Sequence, residues 1–203
     1  MQGLYSLLFL VLISFATQTQ AWSLAKDKQG IKVFTQDSRY SGFKMFRGEV
    51  LLDSNLENAL EFLKNVEQAT LWLHDCNESK LLESITENHY RVYQVIKAPW
   101  PVNDRDYVLD IQVKRSPPEG KAVIEVFGLD RPDLASTSGK RVRVTELHGV
   151  WTLIEQSEDS VKIIYETEAN PTGKIPAWLA NAFVVDQPYN TLLNLKNHFA
   201  RQQ

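Results

Sequence analysis

The sequence predicts an α+β domain: a curved antiparallel sheet wrapped around a long C-terminal helix. Three observations lead there. Six segments between Lys80 and Ala169 alternate apolar and polar residues with the period of half-buried strands. Their connectors, "EN", "PWPVND", "SPPEG", "LDRPDLASTSG" and "SEDS", are short turns alternating with longer loops, as in an antiparallel meander. After Gly173 the apolar spacing turns helical, through Trp178, Ala182, Val185, Tyr189, Leu192 and Phe199.

The chain has 203 residues, a formal net charge of -3 and 43% hydrophobic residues, an ordinary globular balance with room for one sizeable core. Lys and Arg are dispersed, and no basic stripe points to a nucleic-acid partner. "LLFLVLISF", Leu7 to Phe15, is a short apolar run followed by polar residues and a small-x-small site ending at Ala21. It is too short to span a bilayer as a helix and reads as a secretory signal over residues 1–21, leaving a domain over 22–203. An uncleaved anchor is the alternative. Cys76 is the single cysteine, so no disulfide can form within the chain and stability must come from the core.

The domain is expected to open with a short turn, "WSLAKDKQG", followed by two paired strands, "IKVFTQ" and "FKMFRGEVLL". A helix follows, expected to begin with a capping box of Ser54 and Glu57, with Leu56, Leu60 and Leu63 on one face. A second short helical piece ends near Leu71 and Trp72. "KRVRVTELHGVWTLIEQ" reads as one continuous strand. Pro188 removes a backbone donor and should bend the last helix.

Alternation sorts the strand residues into a wet face and a core face. His89, Arg91 and Lys97 face water, while Tyr90, Val92, Gln94 and Ile96 face inward. Tyr107, Leu109, Ile111 and Val113 form the next inward row. Ala122, Ile124 and Val126 follow, and then Val161, Ile163, Tyr165 and Thr167. One face is thus apolar and must be covered by helices. A twisted sheet of this many strands curls, and a single helix fills the groove poorly, so an apolar pocket is expected. "PWPVND", "LDRPDLASTSG" and "NPTGKI" fall at one end of the meander, where a pocket mouth would lie.

Candidate chemistry is thin. His74, Asp75 and Cys76 are triad residue types, but adjacent residues cannot converge on one reacting centre. Glu146 and His148 could place two ligands on one strand face, yet a hydrolytic zinc site needs three, and HExxH and CxxC are absent from the sequence. No metal and no cofactor are expected. Gln94 is the polar member of an apolar row; its amide must bond to protein, water or a ligand head group. Asp104, Arg105 and Asp106 suggest a salt-bridged corner rather than an acid–base pair, and Pro99 and Pro101 stiffen it around Trp100. Packing of Trp100 into the corner is favoured over contact with a bilayer.

"APWPVNDRDYV" resembles the Pro-Trp-Pro-x-x-x-Arg-Asp-aromatic signature of the START family, the steroidogenic-acute-regulatory-related lipid-transfer domains. "LWLHDCNESKLLE" is similar to that family's Trp-containing segment, and "GVWTLIEQ…VKIIYETEANPTGKIPAWLANAF" to its last two strands and helix entry. The resemblance implies a helix-grip fold with an internal hydrophobic cavity lined by the inward sheet face and the last helix. It implies non-covalent binding and transport of one hydrophobic molecule, a phospholipid or other lipid. The expected ligand contacts are Tyr90, Val92, Gln94, Tyr107, Leu109, Ile111, Ile124, Val126, Val144, Glu146, Ile163, Tyr165, Trp178, Ala182 and Val185. Some sterol-binding members carry a buried Glu and Arg pair; the matching positions here are about Val92 and Ile111, both apolar, which speaks against a sterol held that way. A monomeric carrier, secreted or periplasmic, with transient membrane contact is the expected setting. The alternative is a polyketide cyclase or aromatase using the same cavity, with Tyr90, Gln94, Glu146 and His148 as acid–base groups.

Overall fold

The computed structural model describes residues 21–38, 42–137, 139–173, 175–176, 179–180 and 182–201. The apolar run at Leu7 to Phe15 and Trp178 lie outside the described residues, as does the side chain of Ala182.

Strands β1 (Ser23–Lys28), β2 (Ile31–Asp37) and β3 (Lys44–Leu52) form an antiparallel set; β1 stands where a short turn was expected, as an exposed edge strand paired with β2. Helices α1 (Leu56–Lys64) and α2 (Ala69–Trp72) then carry the chain to the far edge of the sheet. From there β4 (Cys76–Thr86), β5 (His89–Ile96), β6 (Arg105–Ser116), β7 (Lys121–Gly128), β9 (Leu147–Ser157) and β10 (Ser160–Ala169) run back as a meander. The final strand closes onto β3, giving the order β1-β2-β3-β10-β9-β7-β6-β5-β4. A π-helical turn, Ala182–Asp186, leads into α3 (Gln187–Ala200).

Local chemistry corrects several expectations. The N-cap of α1 is Asn55, not Ser54: its side chain accepts from the Asn58 N–H at 2.8 Å. The expected continuous strand after Lys140 is broken. A two-residue strand, β8 (Val142–Arg143), pairs parallel with Arg105 and Asp106 of β6, and β9 starts only at Leu147. Gly128 sits under the break; a Cβ there would stand 2.6 Å from the Thr145 carbonyl oxygen, so only glycine lets the two backbones approach. Pro188 falls in the first turn of α3, where its missing N–H costs nothing. The irregularity lies just before it, in the π turn.

The inward rows of β5, β6, β7 and β10 meet in one core with Trp151, Leu192, Leu195 and Phe199. The outer face is not uniformly wet. Tyr93, Val95 and Val108 form a second small cluster, covered by Leu129, Leu134 and Ala135 of the loop between β7 and β8. Alternation alone had assigned that face to solvent; a long loop folded back over it.

A half-enclosed apolar cavity at the corner end

The carboxylates of the Asn103-Asp104-Arg105-Asp106 run form no ion pair with its arginine; Asp106 pairs with Arg143 instead. Asp104 accepts from the Ala98 N–H at 3.0 Å across the corner. Asp106 is 0% exposed and is held by Arg143 at 2.9 Å and the Tyr93 hydroxyl at 3.1 Å. Arg105 donates to the Pro171, Thr172 and Asn103 carbonyls. Alternation explains the split. Arg105 shares the inward row and Asp106 the outward one, so adjacent charges leave opposite faces of the sheet. Trp100, expected inside the corner, is instead 89% exposed at its tip.

Beneath this corner lies a cavity of about 120 Å³. The sheet contributes Lys44, Phe46, Ile96, Tyr107, Leu147, Tyr165, Thr167 and Ala169, with Phe43 from the bend just before β3. Leu73, Pro171, Ala180, Phe183, Val184 and Gln187 close it from the helical side. Lys44 is its only charged side chain among the described residues. An aromatic wall backs it: Phe46 meets Tyr165 edge-on at 4.9 Å, Tyr165 stacks on Trp151 at 3.7 Å, and Trp72 meets Trp151 edge-on at 5.5 Å. Burial pushes the Tyr107 hydroxyl well above the usual phenol range and raises that of Tyr165. Among the described residues, Trp72 Nε1 is the one fully buried side-chain polar atom with no hydrogen-bond partner.

Of the residues expected to contact a ligand, Tyr107 and Tyr165 line this cavity. Tyr90, Val92, Leu109, Ile111, Ile124 and Ile163 belong to the continuous core, with Val126 packed against it. The Gln94 amide donates to Ser79 Oγ at 3.3 Å. Val144 is buried in the break between β8 and β9, Val185 is half-buried in the π turn, and Glu146 is exposed, accepting from Asn170 at 3.0 Å. His148 stacks on Phe127 at 4.8 Å. His74 reaches Asp75 and Asn190, while the Cys76 thiol donates to the Glu78 carbonyl and is pushed up to about 11 by burial.

The inward row therefore continues past the cavity into solid core. Sequence reasoning missed the residues that close one end: Phe43, Lys44, Leu147, Pro171, Phe183 and Gln187. The usable signal was the clustering of long connectors at the end where Ile96, Ala169 and Pro171 now meet.

These features define a helix-grip domain, an open sheet holding a C-terminal helix across a partly unfilled groove. The START domain family model matches residues 13–200. The chain belongs to that family. It is 33% identical over 176 residues to an uncharacterized protein of Pseudomonas aeruginosa, spanning 87% of this chain and 85% of the relative. It is 26% identical over 165 residues to the human phosphatidylcholine transfer protein, spanning 79% and 75%. Among solved structures, a STAR-related lipid transfer protein fragment of Xanthomonas axonopodis superposes with a TM-score of 0.78 at 35% identity, covering 88% of this chain and 98% of that one.

Proposed function

We propose that the domain carries a single lipid in this cavity, by non-covalent binding, and moves it through an aqueous compartment outside the cytoplasm. The observation that carries the reading is the apolar cavity held between a rigid sheet and a helical strap, which can remove acyl surface from water. The chain's likeness to the human phosphatidylcholine transfer protein and to the Xanthomonas lipid transfer protein supports it. At about 120 Å³ the cavity is smaller than the ~300–1,000 Å³ usual for drug-sized ligands, so cargo entry requires the helical side to move outward. The π turn supports that step, because i→i+5 bonding marks a local irregularity in an otherwise regular helix. The exposed Trp100 supports brief contact with a bilayer, where indole rings favour the interface. The apolar run Leu7 to Phe15, ending shortly before β1, supports secretion with cleavage near Ala21. On this reading the protein is a monomer.

Native mass spectrometry of protein purified from its own cells tests the proposal. A one-to-one complex with lipid, together with transfer between vesicles, is the expected result. Lipid-free protein that turns over a polyketide chain, with turnover lost in His148→Ala, would replace the carrier with a cyclase.

A further inference from the structure

The inward row of β6 begins with a cation. Arg105 is 2% exposed and makes no ion pair within 4 Å among the described residues; burial works against its charge, and the carboxylate of Asp104, its chain neighbour, attracts it only from a longer range. Its Nε donates to the Pro171 carbonyl at 3.2 Å, Nη1 to Asn103 at 2.5 Å and Nη2 to Thr172 at 3.1 Å. A guanidinium carries five N–H donors, so one on each terminal nitrogen is left over. The surroundings belong to the cavity. Ile96 is its cross-strand partner, Tyr107 is next on its own face, Pro171 accepts one of its bonds, and the Phe183 ring lies 6.0 Å away. The Tyr107 hydroxyl makes no hydrogen bond to a protein atom among the described residues. Arg105 stands beside these lining residues rather than among them; Lys44 is the one charged side chain on the wall itself among the described residues, with Asp37 3.9 Å from its Nζ on the solvent side.

We propose that Arg105 and Tyr107 together receive the oxyanion of the cargo, and that the preferred cargo is a lipid with a net negative polar group. This rests on the lipid-carrier reading above. Three physical points argue for it. A buried charge without a counter-ion is costly, and carbonyl hydrogen bonds relieve only part of that cost. A guanidinium fork matches the two oxygens of a phosphate or carboxylate. The attraction is strengthened where water is excluded. A choline head group, by contrast, would bring a further cation toward Arg105 and Lys44 with no carboxylate on the cavity wall, among the described residues, to meet it.

The test uses delipidated full-length protein and vesicles of matched surface charge. These carry fluorescent phosphatidic acid, oleate, phosphatidylcholine or diacylglycerol with the same acyl chain. Phosphatidic acid or oleate should be extracted about tenfold better than phosphatidylcholine, a difference worth one decade in Kd; the better of the two tells whether the site takes phosphate or carboxylate. Arg105→Gln and Tyr107→Phe should each lower the ratio of anionic lipid to diacylglycerol extracted by about tenfold or more, the loss expected for one charge-assisted bond. If Arg105→Gln does not fold, Tyr107→Phe and the wild-type series decide, since that change removes one hydroxyl. Equal extraction of all head groups, or folded variants that keep the full preference, would overturn the assignment and leave Arg105 a clamp on the Pro171–Thr172 turn. Failure to extract even diacylglycerol would instead sink the carrier reading.

Discussion

The two halves of the groove under the C-terminal segment are built oppositely. Along α3 the helix is pressed onto the sheet. Leu192 and Leu195 are fully buried, and a Cβ on Gly48 of β3 would meet Leu192 Cδ1 at 2.6 Å. Phe62 of α1 stacks on His198 at 4.0 Å and meets Phe199 edge-on at 5.4 Å. Polar ties pin this half to the β1–β2 hairpin: Lys26 to Asp186 at 2.9 Å, Lys196 to the Gln29 carbonyl at 2.8 Å, and the Tyr189 hydroxyl to Gln29. Toward the corner, the same groove holds the cavity. The inward row of β3 shows how the change is made. Gly48 admits the helix, whereas two residues earlier Phe46 places a ring against Tyr165 and lines the void. The segment facing Phe46 is the π turn rather than a regular helix. One position on one strand thus separates a core, which holds the fold, from a space available to a ligand.

Removing a side chain from the closed half should produce the largest effect. Leu192→Ala leaves a void in a fully buried site and should cost about 2–5 kcal/mol in urea unfolding, while folded protein still takes up lipid. A cost under about 1 kcal/mol would mean the helix is not seated as described. The complementary change fills the open half. Ala169 ends β10 and lines the cavity; Ala169→Phe should reduce lipid uptake about tenfold or more, roughly 1.4 kcal/mol. Because the ring enters existing space, the stability change should stay below the ~1–3 kcal/mol typical of overpacking a filled core. Loss of stability with uptake intact would reverse the roles of the two halves. A smaller effect is expected at Asn55, whose side chain caps the α1 helix that covers the closed half. Asn55→Ala should lower the melting free energy by about 1 kcal/mol and leave uptake unchanged.

The closed half was readable in the sequence, whereas of the open half only its sheet side, with Ile96, Tyr107, Tyr165 and Thr167, and its end of the meander were. Period-two alternation marked Tyr90, Val92, Leu109, Ile111, Ile124 and Ile163 as one face, and the structure joins them in one core. That rule is local and knows nothing of depth along the groove. It gave Tyr107 and Leu109 the same standing, although only the first borders the cavity. The closing residues come from loop and helix ends, Pro171, Phe183 and Gln187, whose placement depends on Arg105 reaching across to the Pro171 and Thr172 carbonyls. The Arg143–Asp106 pair and the loop cover over Tyr93 likewise join residues far apart in the chain. No periodicity encodes such contacts. The Pro-Trp-Pro signature located the corner correctly, but the outward turn of Trp100 follows from the three-dimensional path of that loop.

Cys76 reports on the boundary between the two halves. It opens β4 directly across from Ile96, which lines the cavity, yet its own side chain is buried and outside the lining. Burial raises the thiol from 9.0 to about 11, despite its hydrogen bond to the Glu78 carbonyl. The fold therefore favours the neutral thiol. That contribution to stability is complete below the unfolded-state value of 9.0 and disappears as the pH rises through about 11. At pH 8 only about one thiol in a thousand is ionised, given that the thiolate is the reactive form. Alkylation of the native protein at pH 8 should accordingly be slower than that of an exposed cysteine by about a hundredfold, and should rise steeply toward pH 11. Filling the cavity with lipid should change the rate little, because the thiol does not face it. Strong protection by lipid would place Cys76 on the open side of the boundary, and would move the wall between core and cavity by one strand position.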